Sequence, residues 1–66
     1  MKSHGLLKSW ILEYDMSKER YYISGYIFND KKNRFPDGQK IKTSSLLMVN
    51  WEKGFCKTKN STYLLD

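Results

Sequence analysis

His4 is the chain's single imidazole and Cys56 its single thiol. A metal centre needs a cluster of His, Cys or carboxylate ligands at fitting spacing. These two residues stand at opposite ends of the sequence, so no metal site and no cofactor is expected. Nucleophilic catalysis needs a base within hydrogen-bond reach of the nucleophile. His4 lies close to the amino terminus, so Ser44 and Ser45 read as bend residues. Asp30 and Asp37 flank one loop, but two acids in a basic loop read as turn residues and local charge partners, not a general acid/base pair. The glycines, at 5, 25, 38 and 54, are too far apart to form a phosphate cradle. Cys56 sits in Phe55-Cys56-Lys57-Thr58 and reads as a packing residue. The chain is expected not to be an enzyme.

Two other constellations suit binding. The first is basic: Lys31, Lys32 and Arg34 share a loop, Lys40 and Lys42 alternate along one run, and Lys57 and Lys59 along another. If the two runs were neighbouring strands, four ammonium groups would line one sheet face beside aromatic residues. Small barrels hold single-stranded nucleic acid in this way. The second is apolar: Tyr22, Tyr26 and Phe28 fall on one side of a strand whose other side already supplies Ile23 and Ile27. Surplus aromatics on such a face read as a protein-binding patch or a homodimer interface. Alternating lysines are also ordinary on a solvated strand, where they discourage edge-to-edge aggregation.

The elements that must carry these residues are strands. The chain has 66 residues, 39% hydrophobic and 15% aromatic, with a net charge of +5. That is too apolar for a disordered chain and short enough to limit it to one domain, residues 1–66, with no deep cleft of ligand size. A single cysteine forms no internal disulfide, which points to a reducing, cytoplasmic setting. No run is long enough to span a membrane. The opening Met1-Lys2-Ser3-His4-Gly5-Leu6-Leu7 lacks the apolar length of a leader.

Period two dominates, with strand-forming residue types. Leu6 to Tyr14 is a first strand, with Trp10, Leu12 and Tyr14 on one face. Arg20 to Phe28 is a second, with Gly25 marking a bulge or bend. Phe35-Pro36-Asp37-Gly38 predicts a type I turn, with Phe35 plugging one end of the core. A third strand starts at Gln39, breaks at Ser44-Ser45 and resumes from Leu46 to Trp51. The last segment competes with a helix capped by Ser44 or Ser45, but Val49, Trp51 and the following Glu52-Lys53-Gly54 hairpin favour strand. Phe55 to Thr58 and Ser61 to Leu65 complete five to six short strands. The predicted fold is all-β: a small antiparallel barrel, SH3-like or OB-like, or a strongly curled sheet.

One stretch also has a family cadence. Gly25-Tyr26-Ile27-Phe28-Asn29-Asp30, then Arg34-Phe35-Pro36-Asp37-Gly38-Gln39-Lys40-Ile41-Lys42-Thr43-Ser44, then Thr58 and Ser61-Thr62-Tyr63-Leu64-Leu65, resembles short β-rich uncharacterised proteins of phages, prophages and plasmids. The shared pattern is R-F-x-D-G-x-x-I-x-T-S with a closing Y-x-L, over roughly two-thirds of the chain. The resemblance implies a mobile-element accessory protein that inhibits or modulates a host or phage macromolecule. Taken together, the expected function is a protein-binding module, with a nucleic-acid-binding small barrel as the alternative.

Overall fold

The computed structural model describes residues 3–66; Met1 and Lys2, the start of the opening that the sequence reads as no leader, lie outside the described residues. Among these the fold is all-β. Six strands run in chain order as β1 (Gly5–Asp15), β2 (Arg20–Phe28), β3 (Gln39–Lys42), β4 (Leu46–Asn50), β5 (Phe55–Thr58) and β6 (Thr62–Leu65). They form one sheet of spatial order β3-β2-β1-β6-β5-β4. Two three-stranded antiparallel meanders are thus joined through their first and last strands.

That junction corrects the expectation of a wholly antiparallel sheet. β1 and β6 run parallel, with Gly5 opposite Tyr63 and Leu7 opposite Leu65. The reason is topological: β3 runs the same way as β1 and β6 the same way as β4, and the chain crosses from β3 to β4 without reversing, so β6 lies beside β1 pointing the same way. A second consequence follows from chain length. β3 and β4 are the two ends of the strand order, yet only Thr43, Ser44 and Ser45 connect them. Flat, five inter-strand spacings would separate them by about 24 Å. Four backbone steps reach about 14 Å. The sheet must therefore curl until β4 returns to β2, and contacts between β2 and β4 show that it does. No strand pairing closes the sheet at this seam.

The connection is held by its own hydrogen bonds. Thr43 N–H donates to the Ile23 carbonyl at 2.9 Å, and Ile23 N–H donates to Thr43 Oγ1 at 2.9 Å. Lys59 N–H donates to the Ser45 carbonyl at 2.9 Å. The Ser44-Ser45 break is thus a crossing from one edge of the sheet to the other, and Leu46–Asn50 is strand, not helix.

Cross-strand partners project to the same face, so the register sorts the side chains. Leu7, Ile23, Ile27, Ile41, Cys56 and Tyr63 point inward and form the core, with Trp10, Phe35, Leu46, Val49 and Leu65 packed against it. Tyr22, Ser24, Tyr26 and Phe28 point outward, as their alternation predicts. β1 carries a bulge between Lys8 and Ile11, with Ser9 at φ 49°. The bulge shifts the alternation by one, so that Leu7 and Leu12 both face inward. Gly25 of β2 lies opposite it, so the bulge expected at Gly25 is on the partner strand, and the glycine instead permits the close approach of the β1 backbone.

The Pro36 turn differs in register from the predicted one. Gln39 N–H donates to the Pro36 carbonyl at 3.2 Å, and Gly38 has φ 85°. The turn spans residues 36–39 with glycine in third place, the position where a type II turn requires positive φ. Asp37 is freed to accept from Asn29 N–H at 2.8 Å.

Candidate functional site

Arg34 and the Phe35 backbone join Asp30 in a buried polar hub. The Asp30 side chain is fully buried and accepts backbone N–H bonds from Lys32, Arg34 and Phe35 at 3.3, 2.8 and 3.2 Å. Arg34 adds Nε and Nη2 at 3.2 and 3.0 Å. The guanidinium also donates to Ser61 Oγ and Tyr63 Oη at 3.0 and 3.2 Å. Arg34 bonding holds the Asp30 carboxyl down at about 2, against the desolvation that would raise it. Every guanidinium nitrogen of Arg34 has a protein acceptor, so this residue is a strut between the loop and β6. Lys32 Nζ is likewise held, by the Asn60 carbonyl at 2.6 Å and Ser61 Oγ at 3.1 Å. Asp30 and Asp37 do separate structural tasks, and the hub holds together loop ends that no other strand pairing fixes.

His4 belongs to the same scaffold. Its N–H donates to the Thr62 carbonyl at 2.7 Å, and its Nδ1 accepts from Thr62 N–H at 2.9 Å. Cys56 is completely buried, and burial pushes its thiol up to about 11. Alkylation at mildly alkaline pH should therefore be slower than for the urea-unfolded chain by at least two orders of magnitude, about the fall in thiolate fraction implied by such a shift. Comparable rates in a mass-spectrometric time course would contradict the burial.

The basic residues divide. β3, with Lys40 and Lys42, is separated from β5, with Lys57, by three strands, β2, β1 and β6. The two lysine runs are therefore not neighbours, and the four-ammonium face that adjacency would create does not form. Lys57 and Lys59 are exposed at the far side of the sheet, and Lys31 is exposed in its loop. Of the aromatic trio, Tyr22 and Phe28 are half-buried and Tyr26 is 40% exposed. Cations cover the first two: Lys42 Nζ and Arg20 lie 5.8 and 5.5 Å from the Tyr22 ring centre, and Lys8 Nζ lies 5.3 Å from that of Phe28. The trio is a mixed cationic and aromatic surface more than an apolar patch.

The largest apolar exposure lies elsewhere, along the open seam. Leu12 and Tyr21 on one side and Leu46, Leu47, Met48, Val49 and Trp51 on the other line an open groove of about 430 Å³. Leu47 is 69% exposed, Trp51 58% and Tyr21 54%. The volume is like that of a small ligand cleft, roughly 300–1,000 Å³, but the groove is shallow and open to solvent, not a deep cleft. The curl forced by the short β3–β4 connection creates it. Trp51 stacks on Trp10 with ring centres 5.6 Å apart, and Trp10 Nε1 donates to the Asp66 carbonyl at 2.9 Å. Tyr14 packs edge-on against Tyr21 at 4.9 Å and extends the apolar surface. Arg20 Nη1 reaches across the seam to Ser45 Oγ at 3.4 Å.

Comparison of the chain with protein-family models, curated proteins and solved structures returned no match. The site is therefore read from its own geometry. Sequence reasoning missed the groove because its residues come from β1, β2 and β4, and only the strand order brings them together. One signal was present: Leu46 to Trp51 is the longest stretch without a charge or a proline that falls on a sheet edge.

Proposed function

We propose that this chain is a non-enzymatic protein-binding module that works through the groove and the free edge of β4, and that the occupant is a second copy of the chain. The carrying observation is the contrast between its two edges. Sheet proteins blunt exposed edges with lysine, proline or bulges. β3 is preceded by Pro36 and carries Lys40 and Lys42. β4 reads Leu-Leu-Met-Val-Asn and has no such protection beyond a bulge at Leu47.

A two-fold axis at Met48 would pair two β4 strands antiparallel, Leu47 facing Val49 of the other copy. Six half-exposed side chains (Leu12, Tyr14, Tyr21, Leu47, Met48 and Trp51) offer on the order of 500 Å² of apolar area. With the strand edge, this approaches the about 800 Å² per partner of a stable interface. Leu46 to Trp51 itself carries no charge, and Lys57 of β5, opposite Met48, is the cation nearest the proposed axis along the strand pair. The same argument supports reading the curled sheet as a barrel left open between β2 and β4. The phage-like cadence adds the reading of an accessory protein acting on a host or phage macromolecule, with the dimer as its working form.

Light scattering and sedimentation over a concentration series test the proposal. The wild-type protein should dimerise in the micromolar range. Leu47→Lys, a substitution at an exposed position that supplies the missing edge protection, should raise the dissociation constant at least ten-fold and leave the circular dichroism spectrum unchanged. A wild-type protein that stays monomeric at its highest soluble concentration would refute self-association and leave an extended segment of another protein as the occupant.

A further inference from the structure

The outer face of β3, β2 and β1 carries a second arrangement, which uses no groove residue. Tyr26 lies directly opposite Lys40 on β3 and Lys8 on β1. Cross-strand partners share a face, so an exposed ring sits between two exposed lysines in one row. Lys42 is opposite Ser24 in the next row and leans over Tyr22, while Lys8 leans over Phe28. Cations thus cover the Tyr22 and Phe28 rings, and the Tyr26 ring, with no such partner among the described residues, is the one left 40% exposed. The outward acids of β1, Glu13 and Asp15, lie at the other end of the face, opposite Tyr22 and Arg20. Asp15 is engaged by Ser17 at 2.7 Å and by Arg20 at 3.9 Å. The end of the face around Tyr26 therefore presents Lys8, Lys40 and Lys42 and no acid from these rows.

We infer that this face binds single-stranded nucleic acid, one base stacking on Tyr26 and the flanking phosphates meeting Lys8, Lys40 and Lys42. An unpaired base offers a flat π face to the one open ring, whereas a duplex keeps its bases stacked inside. Stacking on an aromatic side chain is tolerant of base identity, so the site discriminates strandedness more than sequence.

Fluorescence anisotropy of labelled oligo-dT and oligo-U, with a duplex of the same length, tests this. Three phosphate contacts to a single strand give a log–log salt slope of about −2, so affinity should fall about 20-fold between 50 and 200 mM salt. Tyr26→Ala should weaken binding about ten-fold or more at constant salt. Lys40→Gln should weaken it and make the slope shallower by about 0.7. Both positions are exposed, and circular dichroism checks that the variants fold. Binding of oligo-U or oligo-dT more tightly than the duplex supports the site. Duplex binding tighter than single-strand binding, wild-type affinity in Tyr26→Ala, or no binding at low salt would overturn the inference.

Discussion

Asp30→Ala should cost about 3–5 kcal/mol of folding stability, the usual result of removing one partner from a buried ion pair. A domain of this length has about 3–10 kcal/mol in total, so the variant should be largely unfolded or should melt more than about 12 °C below wild type. The reason is that Asp30 satisfies three backbone N–H groups as well as two nitrogens of Arg34. Alanine leaves all of them without an acceptor, and Arg34 then loses its hold on Ser61 and Tyr63 of the β6 segment. Acid titration gives a second readout. The carboxyl is held at about 2 in the fold and has a value of 3.8 otherwise. A depressed carboxyl contributes its stabilisation fully above the unfolded value and loses it as pH falls through the folded one. Wild-type stability should therefore decline between about pH 4.5 and 2, and in Asp30→Ala, studied with a stabilising osmolyte, that decline should largely vanish. Urea melts at each pH measure both; equal slopes for the two proteins would remove Asp30 from its central place.

Gly25→Val should be the second most damaging single change. In a strand, valine is ordinarily preferred to glycine, so propensity alone would make the variant more stable. Close packing reverses the sign. A Cβ at position 25 would stand 3.0 Å from Trp10 Cβ, 3.1 Å from Trp10 Cα and 3.2 Å from the Lys8 carbonyl oxygen. Two of these are backbone atoms of the β1 bulge and cannot rotate away. Over-packing of this kind costs about 1–3 kcal/mol for a small group, and the branched side chain belongs at or above the upper end. The bulge would be pushed outward and would carry Trp10 off Trp51. Loss of the near-ultraviolet signal of the stacked tryptophans, together with a melting temperature lowered by at least about 10 °C, is the expected result. An intact tryptophan signal with wild-type stability would show that the bulge is not held by close approach of Gly25.

These two residues also show what was legible in the sequence. The glycine inside an aromatic strand signalled an irregularity, but the sequence placed the bulge in that strand, whereas it lies in β1 and approaches Gly25 closely. Alternation placed Ile23 and Ile27 inward and Tyr22, Tyr26 and Phe28 outward, since a period of two needs no knowledge of neighbours. Polar turn residues located every strand boundary to within a residue or two. Strand order was not legible. It depends on which edge is left when the second meander docks, and nothing local to Thr62–Leu65 says that it will lie parallel to β1. The division of the lysines, the seam and the groove all follow from that order. Asp30 and Arg34 were readable as charge partners but not as the hub, because Ser61 and Tyr63 are far along the chain. Lys8, which only interrupts an apolar run in the sequence, becomes part of a basic row once β1 pairs with β2.

The most direct test of the proposed interface is amide hydrogen exchange at Leu47, Met48 and Val49 as a function of protein concentration. β4 is the strand left unprotected at the edge, so its amides that do not bond to β5 should exchange rapidly in dilute solution and become protected in the micromolar range, in step with dimer formation, while the amides of β3 stay unchanged. Exchange at β4 that is independent of concentration would contradict the assignment of this edge as the protein-binding surface between copies.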